Sequence, residues 1–244
     1  MTERVLVMGT GALGAYFGGR LVQAGVDVVF VARGANLAAL RQDGLENEAR
    51  LAAALDLPPL LGGLTHIGDE LVAPAVVRLD SGGRIIFGEG EGRPSPRVAR
   101  LEALFAAAGI EHRASRHFAV MLWDKLAWNA AFNAVTAVTR RTVGELLADA
   151  DGRALVRAAM LEVVAVAQAE GVALEAVRVD DALRHSAEEL APLKTSMLQD
   201  RERGRRLEYD ALNGGVLRAA ARHGIAVPVN RVLHGLLAVL DARS

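Results

Sequence analysis

A short aliphatic run from Arg4 to Met8 leads directly into Gly9-Thr10-Gly11-Ala12-Leu13-Gly14. A helical pattern ended by Gly25 follows, and then a second unbroken apolar run, VDVVFVARG. The periodicity passes from continuous apolar to helical and back, which is the pattern of a β-α-β unit whose two strands lie parallel and buried. In that setting the G-x-G-x-x-G spacing has physical meaning. The first glycine makes the tight turn, the second lets the backbone approach a pyrophosphate, and the third lets helix and strand pack closely. Free N–H groups and the positive end of the helix dipole then face the anion. The loop formed by Gly9, Thr10, Gly11, Ala12, Leu13 and Gly14 is therefore the candidate dinucleotide site, with a ligand-free glycine turn as the plain alternative. Arg33 ends the second strand, where a carboxylate would hold the 2′-hydroxyl of NAD, and no acidic residue follows until Asp43. A guanidinium there suits a 2′-phosphate, so the expected cofactor is NADPH.

Beyond this unit the pattern is uneven. The stretch ANLAALRQDG reads as a second short helix closed by Gly44, and residues 45–59 read as helical to Leu55 before Pro58 and Pro59. Strand-like runs resume only near LLGGLTHIG, PAVVRL and GRIIFGE. A doubly wound domain needs two mononucleotide halves, and most of the second is missing. The edge of strand 4–8 is thereby threatened with exposure, unless the later strands close against it or the partner subunit of a homodimer covers it. GEGEGRPSPR is a turn-rich connection, and RVARLEALFAAAG is an amphipathic helix capped by Gly109. Helical patterns then run around 117–138, 142–148, 151–170, 175–189, 194–203, 207–223 and 229–242. The expected fold is an α/β Rossmann-like domain, shortened, over residues 1–114, followed by an all-α substrate and catalytic domain over 115–244.

Composition narrows the chemistry. With 28 basic and 29 acidic residues the net charge is −1, so no global field favours nucleic acid or an anionic membrane. The partner to expect is a small molecule. Zero cysteines exclude disulfides, thiolate catalysis and cysteine-based zinc sites. The six histidines show no i, i+4 pairing, and no metal site is expected. The opening MTERVLVMGTG has an apolar run too short for a signal peptide or anchor, which makes cytoplasmic residence the expectation. The reacting groups must then be amines, carboxylates, amides or hydroxyls, and there is no GxSxG.

Those groups concentrate in WDKLAWNAAFNAVTAV, residues 123–138. At 100° per residue the i, i+4, i+8 spacing puts Lys125, Asn129 and Asn133 along one stripe, with Thr136 close to the same line. Apolar side chains cover nearly every other direction, and a helix that is hydrophobic nearly all round is usually buried. A buried lysine and two buried amides cost several kcal/mol unless partnered, so either an internal polar network or a ligand-lined cleft must occupy that face. Lys125 is the leading chemical candidate. The second dense stretch, TSMLQDRERGRRLEYDALNGG, reads as helical on both sides of Gly204 and contains Ser196 and Glu208. Its arginines read as a solvated, self-paired charge face.

Taken together, the GTGALG loop, the VARG strand end, WDKLAWNAAFN, TSMLQDRERGRRLEYDALNGG and GIAVPVN resemble, in order, the ketopantoate reductases (2-dehydropantoate 2-reductases). The resemblance implies a Rossmann domain, a helical domain and a reductase of ketopantoate serving pantothenate and coenzyme A synthesis. Lys125 would be the proton donor, Asn129 and Asn133 would face the 2-oxo acid, Ser196 would help hold it, and Glu208 would bind its hydroxyl and position the lysine. Hydride delivered from NADPH to the carbonyl carbon leaves an alkoxide developing on oxygen. An ammonium in a partly desolvated cleft, balanced by Glu208, can stabilise that charge and give up its proton. The sequence departs from the family after Gly44, where two or more β-α elements are missing, including a strand ending in lysine and another ending in asparagine-glycine. Two further readings follow from that loss: a catalytically impaired homologue that binds a nucleotide or partner protein, and a reductase of another, bulkier 2-oxo acid.

Overall fold

The computed structural model describes residues 4–8, 12–31, 61–73, 76–90 and 92–242, which fall into two compact units meeting in sequence at Ala119/Val120. In the first unit β1 (Arg4–Met8) and β2 (Asp27–Val31) pair in parallel, with Val5 opposite Val28 and Val7 opposite Phe30. Helix α1 (Ala12–Gln23) connects them. It ends where Gly25 takes φ +78°, its N–H bonded to the Val22 carbonyl at 2.9 Å, while Val26 N–H reaches back to Leu21 at 3.1 Å. Only glycine adopts that left-handed cap without cost, so the turn into β2 is fixed by one residue.

A second sheet has the order β3-β4-β5, from β3 (Gly62–Ala73), β4 (Val76–Gly88) and β5 (His112–Ala114). β3 and β4 form an antiparallel hairpin, and β5 lies parallel to β4. PAVVRL and GRIIFGE, which read as separate runs, belong to one strand. Register irregularities between His66 and Ile67 and between Gly68 and Asp69 absorb the Ser81-Gly82-Gly83 interruption, with Gly83 at φ +104°. β5 was not visible in the pattern, because three residues reading His-Arg-Ala carry no alternation. Among the described residues β1 and β2 stay a separate two-stranded sheet, and α1 packs on β3 and β4 as well as on its own strands. Helix α2 (Pro96–Ala107) makes the crossover from β4 to β5, started by Ser95, whose hydroxyl accepts from Val98 N–H at 3.3 Å, and by Pro96 at the first turn. Leu21, Phe87, Val98, Phe105 and Ile110 form its core. The second short helix and the 45–59 segment lie outside the described residues.

The second unit is built from helices, and long α3 (Phe118–Thr139) runs through its centre. Around it stand α4 (Val143–Ala148), α5 (Ala150–Ala169), α6 (Val177–Glu189), α7 (Ser196–Glu202), a π-helical turn (Asp210–Gly214), α8 (Gly215–Arg222) and α9 (Pro228–Asp241). Ala127, Ala130, Ala131, Phe132, Ala134 and Ala137 of α3 are all fully buried, so small side chains let neighbouring helices approach closely. α3 ends at Arg140, φ +59°, and Thr142 with Glu145 forms a reciprocal capping box that starts α4. The sequence pattern anticipated each helix to within a few residues except one. The span read as a single helix over 207–223 instead leaves Leu207 and Glu208 outside regular structure and forms a π-turn before α8.

Candidate functional site

The polar stripe on α3 is real, and its members differ in burial. Asn133 is 5% exposed and Thr136 fully buried, whereas Lys125 and Asn129 are half-buried. Thr136 supplies the internal network. Its Oγ1 lies 2.7 Å from the Phe132 carbonyl and 2.7 Å from Thr195 Oγ1. Thr195 is the N-cap of α7 and accepts from Leu198 N–H at 3.3 Å, so its own proton goes to Thr136, which donates in turn to Phe132. One chain of hydroxyls thus satisfies both threonines and seats the start of α7, where exposed Ser196 stands, one turn from Asn133 along α3.

The two asparagines take no part in that chain. Among the described residues neither the Asn129 nor the Asn133 carboxamide forms a hydrogen bond within the protein. Neither carboxamide is among the fully buried polar groups left unpaired, so their polar atoms reach the surface of the helical unit, where solvent or a ligand can meet them. On this helix the arrangement has a purpose if those atoms meet a ligand. Of the two arrangements left open by the sequence, the internal network is formed by the threonines.

Further contacts fix the frame. Asp124, next to Lys125, is turned to Arg178 of α6 at 2.5 Å, which raises the pKa of that guanidinium through the hydrogen bond and the charge of Asp124. The Asp124 carboxylate is thereby committed to its own helix partner. Trp128 donates from Nε1 to Ser186 Oγ at 2.9 Å and stacks on Phe132 with centroids 4.7 Å apart. Arg201 of α7 donates to the carbonyls of Ala137 and Val138, satisfying the last turn of α3. Burial, and secondarily the charge of Arg140, lower the Arg201 pKa. This arginine is therefore a helix cap, not part of the solvated charge face read from sequence.

Glu208 sits in the irregular segment 205–208, one residue before the π-turn's N-cap Tyr209, half-buried, and its carbonyl accepts from Leu212 N–H at 3.3 Å. That is a correction to the helical placement, and the cause lies in tertiary structure. Leu207 N–H is bonded to Asp241 Oδ1 of α9 at 2.7 Å, so the residue before Glu208 takes its partner from α9 and not from a preceding helical turn. Asn213, inside the π-turn, donates to the Ala130 carbonyl of α3 at 2.9 Å. α7 and the π-turn therefore both dock on α3, at Thr136 and at Ala130, bracketing Asn133. Thr195 and Asn213 were not singled out from sequence. The signal available for Thr195 was its capping position before SMLQ, while nothing local marks Asn213.

In the other unit, three residues separate the end of β1 from the start of α1, a spacing that a dinucleotide fold uses. Ala12, Leu13 and Gly14 open α1; Gly9, Thr10, Gly11 and Arg33 lie outside the described residues. The parallel β1-α1-β2 unit fits a pyridine nucleotide, and the backbone N–H groups at the start of α1 would hold its pyrophosphate.

A Rossmann-like β-α-β unit joined to a helical unit is the build of a nicotinamide-dependent oxidoreductase. The model for "Ketopantoate reductase PanE/ApbA C terminal" matches residues 117–241, and that for "Ketopantoate reductase PanE/ApbA" matches residues 5–46. The chain belongs to the ketopantoate reductase PanE/ApbA family. A 2-dehydropantoate 2-reductase of Halobacterium salinarum is 36% identical over 196 residues, 80% of this chain and 64% of that protein. The corresponding Archaeoglobus fulgidus protein is 29% identical over 289 positions, 96% of this chain and 97% of its own. Since the chain has 244 residues, at least 45 of those 289 positions have no counterpart in it, in keeping with an internal gap. Among solved structures, the PanE/ApbA family ketopantoate reductase of Ralstonia eutropha superposes with TM-score 0.85 at 30% identity, covering 99% of each chain. A D-mandelate dehydrogenase in complex with NADH shares the fold at 17% identity and TM-score 0.83.

Proposed function

We propose that this chain is an NADPH-dependent reductase of a small 2-oxo acid, with ketopantoate (2-dehydropantoate), the substrate in its relatives' names, as the compound reduced to pantoate. The observation that carries the reading is the pair of carboxamides, Asn129 and Asn133, which share one face of α3 and form no hydrogen bond among the described residues. Neutral amides orient a polar substrate by directional hydrogen bonds without adding competing charge. Lys125, one turn before Asn129, stabilises the developing alkoxide and delivers its proton; Ser196 holds the substrate from α7, and Glu208 binds its hydroxyl and orients Lys125. Bound at Gly9–Gly14 with Arg33 on its 2′-phosphate, the nicotinamide nucleotide supplies the hydride. The enzyme is read as cytoplasmic, and as a homodimer by analogy with the dimeric Staphylococcus aureus ketopantoate reductase.

The gap in the first unit favours one alternative, a homologue that binds nucleotide or a partner without turnover. NADPH oxidation by the purified chain with ketopantoate decides between the two. The reductase reading requires turnover that falls roughly 10²- to 10⁴-fold in Lys125→Ala. Well-folded protein that binds NADPH but shows no turnover would sink it, and turnover only with bulkier 2-oxo acids would reassign the substrate.

A further inference from the structure

We infer that Asn213 is a positioning residue: its buried carboxamide pins the π-turn to α3 and so sets where Glu208 stands relative to the polar stripe. The inference rests on the functional reading of Glu208 given above.

Asn213 is fully buried, and its Nδ2 donates both to the Ala130 carbonyl at 2.9 Å and to Asn230 Oδ1 at 3.1 Å. Two acceptors on one nitrogen fix which end of the carboxamide faces them. Ala130 lies directly after Asn129 and three residues before Asn133, so the tether lands inside the candidate site's own helix. The anchor behind it is rigid. Asn230 donates from Nδ2 to the Ala159 carbonyl at 3.0 Å and to Glu162 Oε2 at 2.8 Å, and the same carboxylate receives the N–H groups of Val229 and Asn230 that open α9. The network thus runs from α5 and α9 through Asn213 to α3.

A π-turn carries one more residue than an α-turn, and such turns are frequent at functional sites. If it relaxed to α-helix, the surplus residue would be passed back along the chain, through the Leu212 N–H to Glu208 carbonyl bond, to Glu208 itself. The Asn213 tether opposes that relaxation. Asn213 Oδ1, meanwhile, has no hydrogen-bond partner among the described residues. A residue whose task was fold stability alone would not leave a buried acceptor unpaired; one required for its donors at that spot can.

The test compares wild type, Asn213→Ala and Asn213→Asp with Gln168→Ala, which deletes a comparable side-chain bond to the Leu174 carbonyl elsewhere in the helical unit. Steady-state kinetics with NADPH and ketopantoate across pH, thermal midpoints and amide exchange over residues 205–215 are read together. Both Asn213 variants should lose at least tenfold in kcat with an altered pH profile, keep KM for NADPH within twofold, and exchange the Leu212 to Gly215 amides faster. Gln168→Ala should lower the thermal midpoint with kcat within twofold. Asn213 variants whose kcat per folded molecule stays within twofold of wild type would overturn the inference. If wild type itself is silent with ketopantoate, the functional reading fails, and the exchange data still judge the tether: unchanged amide exchange in Asn213→Ala refutes it.

Discussion

Removing the hydroxyl of Thr195 should loosen α7 from α3 by an amount that follows from the bonds it makes. Thr195→Ala takes away the N-cap of α7, whose loss costs about 1 kcal/mol, and the buried bond to Thr136, worth about 1 kcal/mol more. The expected destabilisation is therefore about 2 kcal/mol. Thr136→Val removes the shared bond from the other side and should cost about 1 kcal/mol. Because the two variants delete one bond in common, the double variant should fall short of the sum by about 1 kcal/mol. Both tryptophans of the chain, Trp123 and Trp128, sit on α3, so urea unfolding followed by tryptophan fluorescence reports the helical unit without interference from the other. Thr195→Ser keeps the oxygen and should stay within about 0.5 kcal/mol of wild type. Additive single variants, or a Thr195→Ala protein as stable as wild type, would show that the hydroxyl chain does not seat α7.

Other outcomes follow from single contacts. The Glu89 carboxyl is held down to about 2, first by the hydrogen bond from Arg97, then by that from Ser95. Its folded value lies below its ordinary one, so its contribution is present above about pH 4.5 and is lost as pH falls from there toward 2. A carboxyl-carbon NMR titration of Glu89 with a midpoint near 4.5 would refute the pairing. Gly92→Ala should prevent the first unit from packing, because Gly92 has φ +71° and an added methyl would overlap the Arg116 carbonyl oxygen; a thermal midpoint equal to wild type would contradict this. Arg201→Met should destabilise the helical unit by roughly 1–3 kcal/mol, by stranding the carbonyls of Ala137 and Val138, and equal urea midpoints would show that water replaces the guanidinium.

How much of this was legible beforehand depends on the range of the interaction. The β1-α1-β2 unit, α2 with its Gly109 cap, and the helices of the second unit could be read because glycine caps, N-caps and apolar periodicity are local. The Lys125, Asn129 and Asn133 stripe was legible for the same reason. That Thr136 belongs to an internal network was not, because its partner is Thr195, 59 residues away. The π-turn reads as ordinary helix because what distinguishes it is a bond from Asn213 to a carbonyl 83 residues away, with Asp241, 34 residues on, taking the Leu207 N–H. β4 was split in two because Gly82 and Gly83 look like a turn until β3 supplies the partner that carries the strand through.

The central claim is that the asparagines face substrate and not the protein interior, and Asn133→Leu tests it most directly when stability and KM for ketopantoate are measured on the same sample. Leucine keeps the branched shape, with somewhat larger terminal groups, and removes the polar atoms. If Asn133 has no protein partner, the variant should be as stable as wild type or slightly more so, and KM should rise tenfold or more, the loss of roughly 1.4 kcal/mol of substrate binding. A protein destabilised by about 1–3 kcal/mol with unchanged KM would mean that a buried partner had been stranded, and the stripe would be structural.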